Sequence, residues 1–103
     1  MLEPDALRGV QMLAAVADQG SFTAAARVLG LTPSGVSKAV ARLEEQHGVQ
    51  LVRRTTRSLS LTEVGARYLD RCRPVLAELA AATAELEDTQ STFAGTLRVT
   101  APS

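Results

Sequence analysis

Three short signals in a row, Gly20-Ser21, Gly30-Leu31 and Thr32-Pro33, leave the first half of this chain few folds to choose from. Ser21 is an N-cap for a short helix over Phe22 to Leu29, and Gly30 stops that helix. Thr32 caps the next helix at once, and Pro33 at its first position gives up an N–H that has no intrahelical partner. The run Ala24-Ala25-Ala26 lets another helix cross close by at a steep angle. Two short helices joined by so few residues, one of them Gly, predict a helix-turn-helix. Any tight helical corner shares part of this signal.

The second helix of the pair runs from Pro33 to about His47, with Gly48 at its C′ position. Val36, Val40 and Leu43 recur at helical spacing and form one apolar stripe. Ser34, Ser37, Lys38, Ala41, Arg42 and Glu45 fall on the opposite side. That face begins small and hydroxylated and becomes cationic, so it can lie flat against a groove wall, donate to base edges and hold phosphates. Lys38 and Arg42 are donors without acceptor capacity, matched to guanine O6 and N7 or to phosphate oxygens. Arg42 lies a full turn further along, which favours phosphate for it and base readout for Lys38. The bland alternatives are a solvated polar face and, for Arg42, an intrahelical pair with Glu45 or Gln46.

Before this pair, Pro4 and Asp5 start a helix whose buried stripe is Leu7, Val10, Leu13, Val16 and Ala17. Gly9 in mid-helix costs roughly 1 kcal/mol against Ala. After it, Val49 to Arg54 and Leu59-Ser60-Leu61 read as an antiparallel hairpin with Arg53, Arg54 and Arg57 at or near its tip. The connection lacks Gly and Asn, so it should exceed a two-residue primed turn. An arginine-tipped hairpin beside such a helix is a wing.

Thr62 caps a fourth, longer helix. Tyr68, Cys72, Val75, Leu79, Ala82, Leu86 and Thr89 alternate steps of four and three, a heptad seam that Leu69, Leu76 and Ala80 widen. A helix of roughly 27 residues runs about 40 Å, further than a small domain can cover, so a second chain should cover its far half. Folding back on its own domain is the alternative. Pro74 predicts a bend. Ser91 to Gly95 reads as a linker, and Thr96-Leu97-Arg98-Val99-Thr100 alternates like the first strand of a further domain, cut short at Ser103.

Net charge is zero, but six cations face two anions between Arg27 and Arg57, while Glu78, Glu85, Glu87 and Asp88 gather later. Such asymmetry is the electrostatic footprint of a nucleic-acid partner. Hydrophobic residues at 46% and charged residues at 21% fit a globular chain, and one Cys excludes a disulfide scaffold. No stretch is apolar enough to span a bilayer, and an intracellular location is expected. Catalysis has little to stand on. His47 is the sole His, one His with Cys72 cannot close a zinc site, and no Gly-rich phosphate loop is present. Neither a cofactor nor a metal is expected. Cys72 reads as a small apolar seam residue, with a redox role as the alternative.

Gly20-Ser21-Phe22-Thr23-Ala24-Ala25-Ala26, Leu31-Thr32-Pro33-Ser34, Val36-Ser37-Lys38, Leu43-Glu44 and Leu51-Val52-Arg53-Arg54-Thr55-Thr56-Arg57, through Leu61-Thr62-Glu63-Val64-Gly65, resemble the LysR-type transcriptional regulators of bacteria. The resemblance implies a mainly α fold: a winged helix-turn-helix of three helices plus a small β-hairpin over residues 1–61, then a long linker and dimerisation helix over 62–90. Residues 91–103 would be a hinge and the start of an effector-binding domain. It further implies a cytoplasmic DNA-binding homodimer that reads an interrupted palindrome in promoter DNA. Full-length members usually assemble into tetramers and would answer to a small-molecule effector through the second domain.

Carried over by position, Pro33, Ser34, Ser37 and Lys38 face the major groove, and Arg57 enters the flanking minor groove. Ser21, Thr23, Arg54, Thr55 and Thr56 hold phosphates, with Thr32 and Arg42 completing the DNA-binding set. Tyr68, Cys72, Val75, Leu76, Leu79 and Leu86 form the dimerisation seam. Gly35 departs from the more usual Ala or larger residue, removing a side-chain contact but permitting closer backbone approach. A helical dimer whose basic hairpin docks an acidic protein partner is the competing function, and it makes no use of Ser34, Ser37 and Lys38.

Overall fold

The computed structural model describes the backbone of residues 4–55 and 58–100 and the side chains of residues 6–55 and 58–89. Its elements are α1 (Pro4–Gln19), α2 (Phe22–Leu29), α3 (Pro33–His47), β1 (Val52–Arg54), β2 (Leu59–Leu61) and α4 (Glu63–Thr100). This is the expected winged helix-turn-helix followed by a long helix. The chain divides into two compact units between Arg73 and Pro74.

In the first unit α1, α2 and α3 pack against one another, and β2 rests on α1. The core is almost wholly aliphatic: Val10, Leu13, Val16, Val36, Val40, Leu43, Leu51, Val52 and Leu69 are all buried, and so are the small Ala25 and Ala26 of α2. Burying each of the larger side chains stabilises the fold by roughly 1.5–3 kcal/mol. The α1 stripe is turned slightly from its expected position: Leu7 is exposed, whereas Ala6 and Met12 face inward. The reason is Gly9. A Cβ there would stand 3.2 Å from Leu43 Cβ and 3.5 Å from the Ala39 carbonyl oxygen, so α1 meets α3 at this glycine and the inward arc centres on it.

The turn between α2 and α3 is closed locally. Gly30 takes the left-handed conformation at φ 70°, and Leu31 N–H donates to the Ala26 carbonyl at 2.9 Å. Thr32 Oγ1 then accepts from Gly35 N at 3.0 Å, and Ser21 Oγ accepts from Ala24 N at the same distance. Both caps stand where they are expected.

The hairpin pairs Val52 with Leu61, Arg53 with Ser60 and Arg54 with Leu59. The strands end at Arg54 and resume at Leu59, and across this four-residue connection Thr55 N–H donates to the Ser58 carbonyl at 2.9 Å. β1 is shorter than the expected strand: the Leu51 N–H and the Gln50 carbonyl are taken by side chains, although the Leu51 carbonyl still pairs in register. Leu51 N–H goes to Glu44, and its carbonyl accepts from Thr62 N at 3.0 Å. Thr62 Oγ1 donates to the Gln50 carbonyl at 2.7 Å and accepts from Gly65 N at 2.9 Å, tying the wing base to the start of α4.

Two expectations for α4 are corrected. Leu69, expected to widen the seam, is buried in the first unit's core. Residues 91–95 and 96–100, expected as a linker and a strand, continue the helix to Thr100. A five-residue strand needs a partner edge, and the only sheet among the described residues is the two-stranded hairpin. Helix satisfies the same backbone groups internally. Pro74 lies inside α4, where the two units divide.

Candidate nucleic-acid interface

The exposed side of α3 is set by its buried side. With Val36, Val40 and Leu43 fixed in the core, Ser34, Lys38, Arg42 and Glu45 are exposed, and Ser37 and Ala41 are half-buried at the edge of the face. Pro33 and Thr32 open the helix at the same exposed end. Lys38 and Arg42 line a groove with Arg8 of α1, over Gly35 and Ala39.

The wing is held to α3 by one carboxylate. Glu44 Oε2 accepts from Leu51 N at 2.7 Å and from Val52 N at 3.1 Å. Its Oε1 stands 3.9 Å from Arg54 Nη2, and the Arg54 guanidinium lies over the Phe22 ring, 5.1 Å from its centroid. A cation over an aromatic face is attracted by the ring quadrupole, worth about 0.5–1 kcal/mol at an exposed site. Arg54 is therefore oriented from two sides while 44% of its side chain stays exposed.

A second groove brings together Ser21, Thr23, Arg54 and Thr55, four of the residues expected to hold phosphates, beside Ser58. The N-terminus of α2 opens into this groove, and helix N-termini favour negative charge. The Thr55 and Ser58 hydroxyls lie 3.2 Å apart, and Thr55 Oγ1 also accepts from Ser58 N at 2.9 Å. Thr56 and Arg57 lie outside the described residues.

Along α4, Val75 (62% exposed), Leu79 (38%) and Leu86 (67%) present apolar surface to solvent. Tyr68, Cys72 and Leu76 are half-buried. Burial of the phenol, reinforced by Cys72 one turn on, raises the Tyr68 pKa above the ordinary 10.0. Among the described residues no cluster of three or more His, Cys, Asp or Glu is placed to hold a metal. No described helix is long and apolar enough to cross a membrane.

Four residues that organise the site carry no role in the sequence reading: Arg8, Phe22, Glu44 and Gly65. Phe22 and Glu44 belong to motifs that are visible as strings, but their work is done across elements. Gly65 has a steric reason for being there. A Cβ at that position would overlap the Leu51 carbonyl oxygen and stand 2.9 Å from its carbon.

Comparison with known proteins points to one family. Residues 7–66 match the bacterial regulatory helix-turn-helix protein, lysR family. The chain is 49% identical over 84 residues to the HTH-type transcriptional regulator CrgA of Neisseria meningitidis serogroup C (strain 8013), covering 82% of this chain and 28% of that protein. It is 41% identical over 93 residues to the HTH-type transcriptional activator AaeR of Escherichia coli (strain K12), covering 90% and 30%. The chain thus spans under a third of the length of these relatives. Among solved structures it resembles BenM_DBD in its complex with benA site 1 DNA, with TM-score 0.71 and 27% identity over 82% of this chain and 96% of that one. It also resembles the Vibrio cholerae virulence activator AphB, an LTTR protein, with TM-score 0.74 and 29% identity over 78% of this chain and 28% of that one. The match over residues 7–66, with a relative 49% identical over most of its length, places this chain in the LysR family of bacterial regulatory helix-turn-helix proteins.

Proposed function

We propose that this chain is the DNA-reading part of a LysR-type transcription regulator, which inserts α3 into the major groove and the wing into the flanking minor groove. The observation that carries the reading is the surface of α3. Short hydroxyl side chains at Ser34 and Ser37 are followed by Lys38 and Arg42, with no bulky apolar residue on the exposed face. Such a face can sit deep enough for Lys38 to reach guanine O6 and N7, while Ser34 and Ser37 adapt to either strand. Ser21, Thr23, Arg54 and Thr55 form the phosphate-holding groove beside it. By the family resemblance alone, Arg57 enters the flanking minor groove and Thr56 holds a phosphate.

The exposed residues Val75, Leu79 and Leu86, with Tyr68, Cys72 and Leu76, join two copies through α4. A two-fold dimer reads an interrupted palindrome in cytoplasmic promoter DNA. An effector and tetramer assembly belong to the whole regulator, whose relatives are three times longer than this chain. The chain itself performs no catalysis and carries no cofactor.

Titration of fluorescent duplexes tests the reading. Lys38→Ala costs roughly 1–3 kcal/mol and relaxes base preference, whereas Arg54→Ala weakens all sequences alike. Equal, salt-insensitive behaviour of the two variants would overturn these roles.

A further inference from the structure

The exposed face of α3 has two borders, and they are built differently. At about 100° per residue, Glu44 falls on one border, where it holds Leu51, Val52 and Arg54 of the wing. Gly35, Lys38, Ala39 and Arg42 follow one another along the other border, at spacings of three, one and three, and form a groove there with Arg8. Arg8 reaches this groove because its neighbour Gly9 brings α1 onto α3 at Ala39 and Leu43. Gly35 and Ala39 have nothing beyond Cβ, so the floor is open to a ligand, and the groove encloses about 470 Å³. Its other described lining residues are Arg8, Lys38 and Arg42, with no acid among them.

A helix in the major groove lies between two phosphate backbones. The groove at Ser21, Thr23, Arg54 and Thr55 is built partly from the wing and so faces the backbone on that side. We propose that Arg8 of α1 is a phosphate ligand for the opposite backbone, closing the clamp on the border of α3 away from the wing. The inference rests on the reading that α3 enters duplex DNA. A guanidinium suits this position, since its planar fork meets two phosphate oxygens at once and keeps its charge at any physiological pH. Lys38, in the same groove, is then free to turn toward the bases while Arg8 fixes the helix in register.

The test is the salt dependence of affinity for two duplexes, one of mixed sequence and one enriched from a random pool by the same 103-residue chain. Arg8→Ala should flatten the plot of log affinity against log salt by about 0.9 per protomer bound, the contribution of one phosphate contact. It should weaken both duplexes by the same factor, and Arg8→Lys should restore the slope. Circular dichroism and a thermal melt verify that the variants are folded. An unchanged slope for Arg8→Ala, with wild-type binding intact, would overturn the inference alone. A loss confined to the enriched duplex would make Arg8 a base reader and overturn the phosphate assignment. Absence of salt-dependent binding by the wild-type chain would overturn the underlying reading as well.

Discussion

Glu44 accepts a 2.7 Å hydrogen bond from the backbone N–H of Leu51, seven residues on and just before β1. The same oxygen takes Val52 N–H at 3.1 Å, so a single side chain on the last turns of α3 fixes where the wing begins. Charge on the acceptor makes such bonds shorter and stronger than neutral ones. Glu44→Ala should therefore cost about 2–3 kcal/mol, because two partly buried donors lose their partner. Glu44→Gln keeps an acceptor and should lose less than half of that. Urea unfolding of the two variants measures both, and equal losses would show that charge, not acceptance, is what matters.

Gly65→Ala should destabilise by more than about 2 kcal/mol, although the same change in an open helix interior stabilises by up to about 1 kcal/mol. The sign is the diagnostic, because a Cβ at Gly65 runs into the Leu51 backbone and must push the start of α4 off the wing base. A thermal melt showing a neutral or stabilised variant would mean that this junction is looser than described.

Loss of the α3 cap is a smaller effect. Thr32→Ala removes the acceptor for Gly35 N–H and should cost about 1 kcal/mol, with Thr32→Ser close to wild type. Amide exchange at Gly35 should rise in the Ala variant and stay protected in the Ser variant.

Arg73 and Asp18 form a 2.9 Å ion pair between α4 and α1, yet the two side chains remain 45% and 54% exposed. Solvent screening then leaves little: Asp18→Asn should change stability by less than about 1 kcal/mol, and salt should erase the difference. A larger loss in urea unfolding would give this pair a structural weight that its exposure denies.

Tyr68 is the only tyrosine in the chain, so an ultraviolet phenolate titration reads it directly. Its midpoint should lie above 10.0 in the folded protein, because burial and Cys72 disfavour the phenolate. The sign follows from linkage. A folded pKa raised above the unfolded one gives a stabilising contribution that is complete below the unfolded value and lost as pH rises through the folded one. Stability should thus show no Tyr68 contribution to its pH dependence between pH 6 and 9, and should fall above 10.0. Cys72→Ala should bring the midpoint back part of the way.

Most of the first unit can be read from local signals, because its boundaries are local physics. Ser21, Thr32 and Thr62 each accept a backbone N–H three residues on, and Gly30 and Gly48 close helices in left-handed geometry. Stripe periodicity fixes Val36, Val40 and Leu43 without knowledge of what covers them. The misread details depend on distant partners. Leu7 and Met12 exchange places because α1 crosses α3 at Gly9, a contact spanning more than thirty residues of sequence. Arg8 becomes a neighbour of Lys38 for the same reason. Val99 and its neighbours alternate as a strand would, but alternation carries no information about whether a pairing edge exists.

That the exposed face of α3 reads duplex sequence is tested most directly by one selection. Incubating the wild-type chain with a random duplex pool and sequencing the retained fraction should enrich two inverted half-sites, centred about one helical turn or a multiple apart. Duplexes retained by the Lys38→Ala variant should keep that spacing while losing preference at the base pair Lys38 reads. A retained pool as random as the input, under salt low enough for binding, would contradict the account.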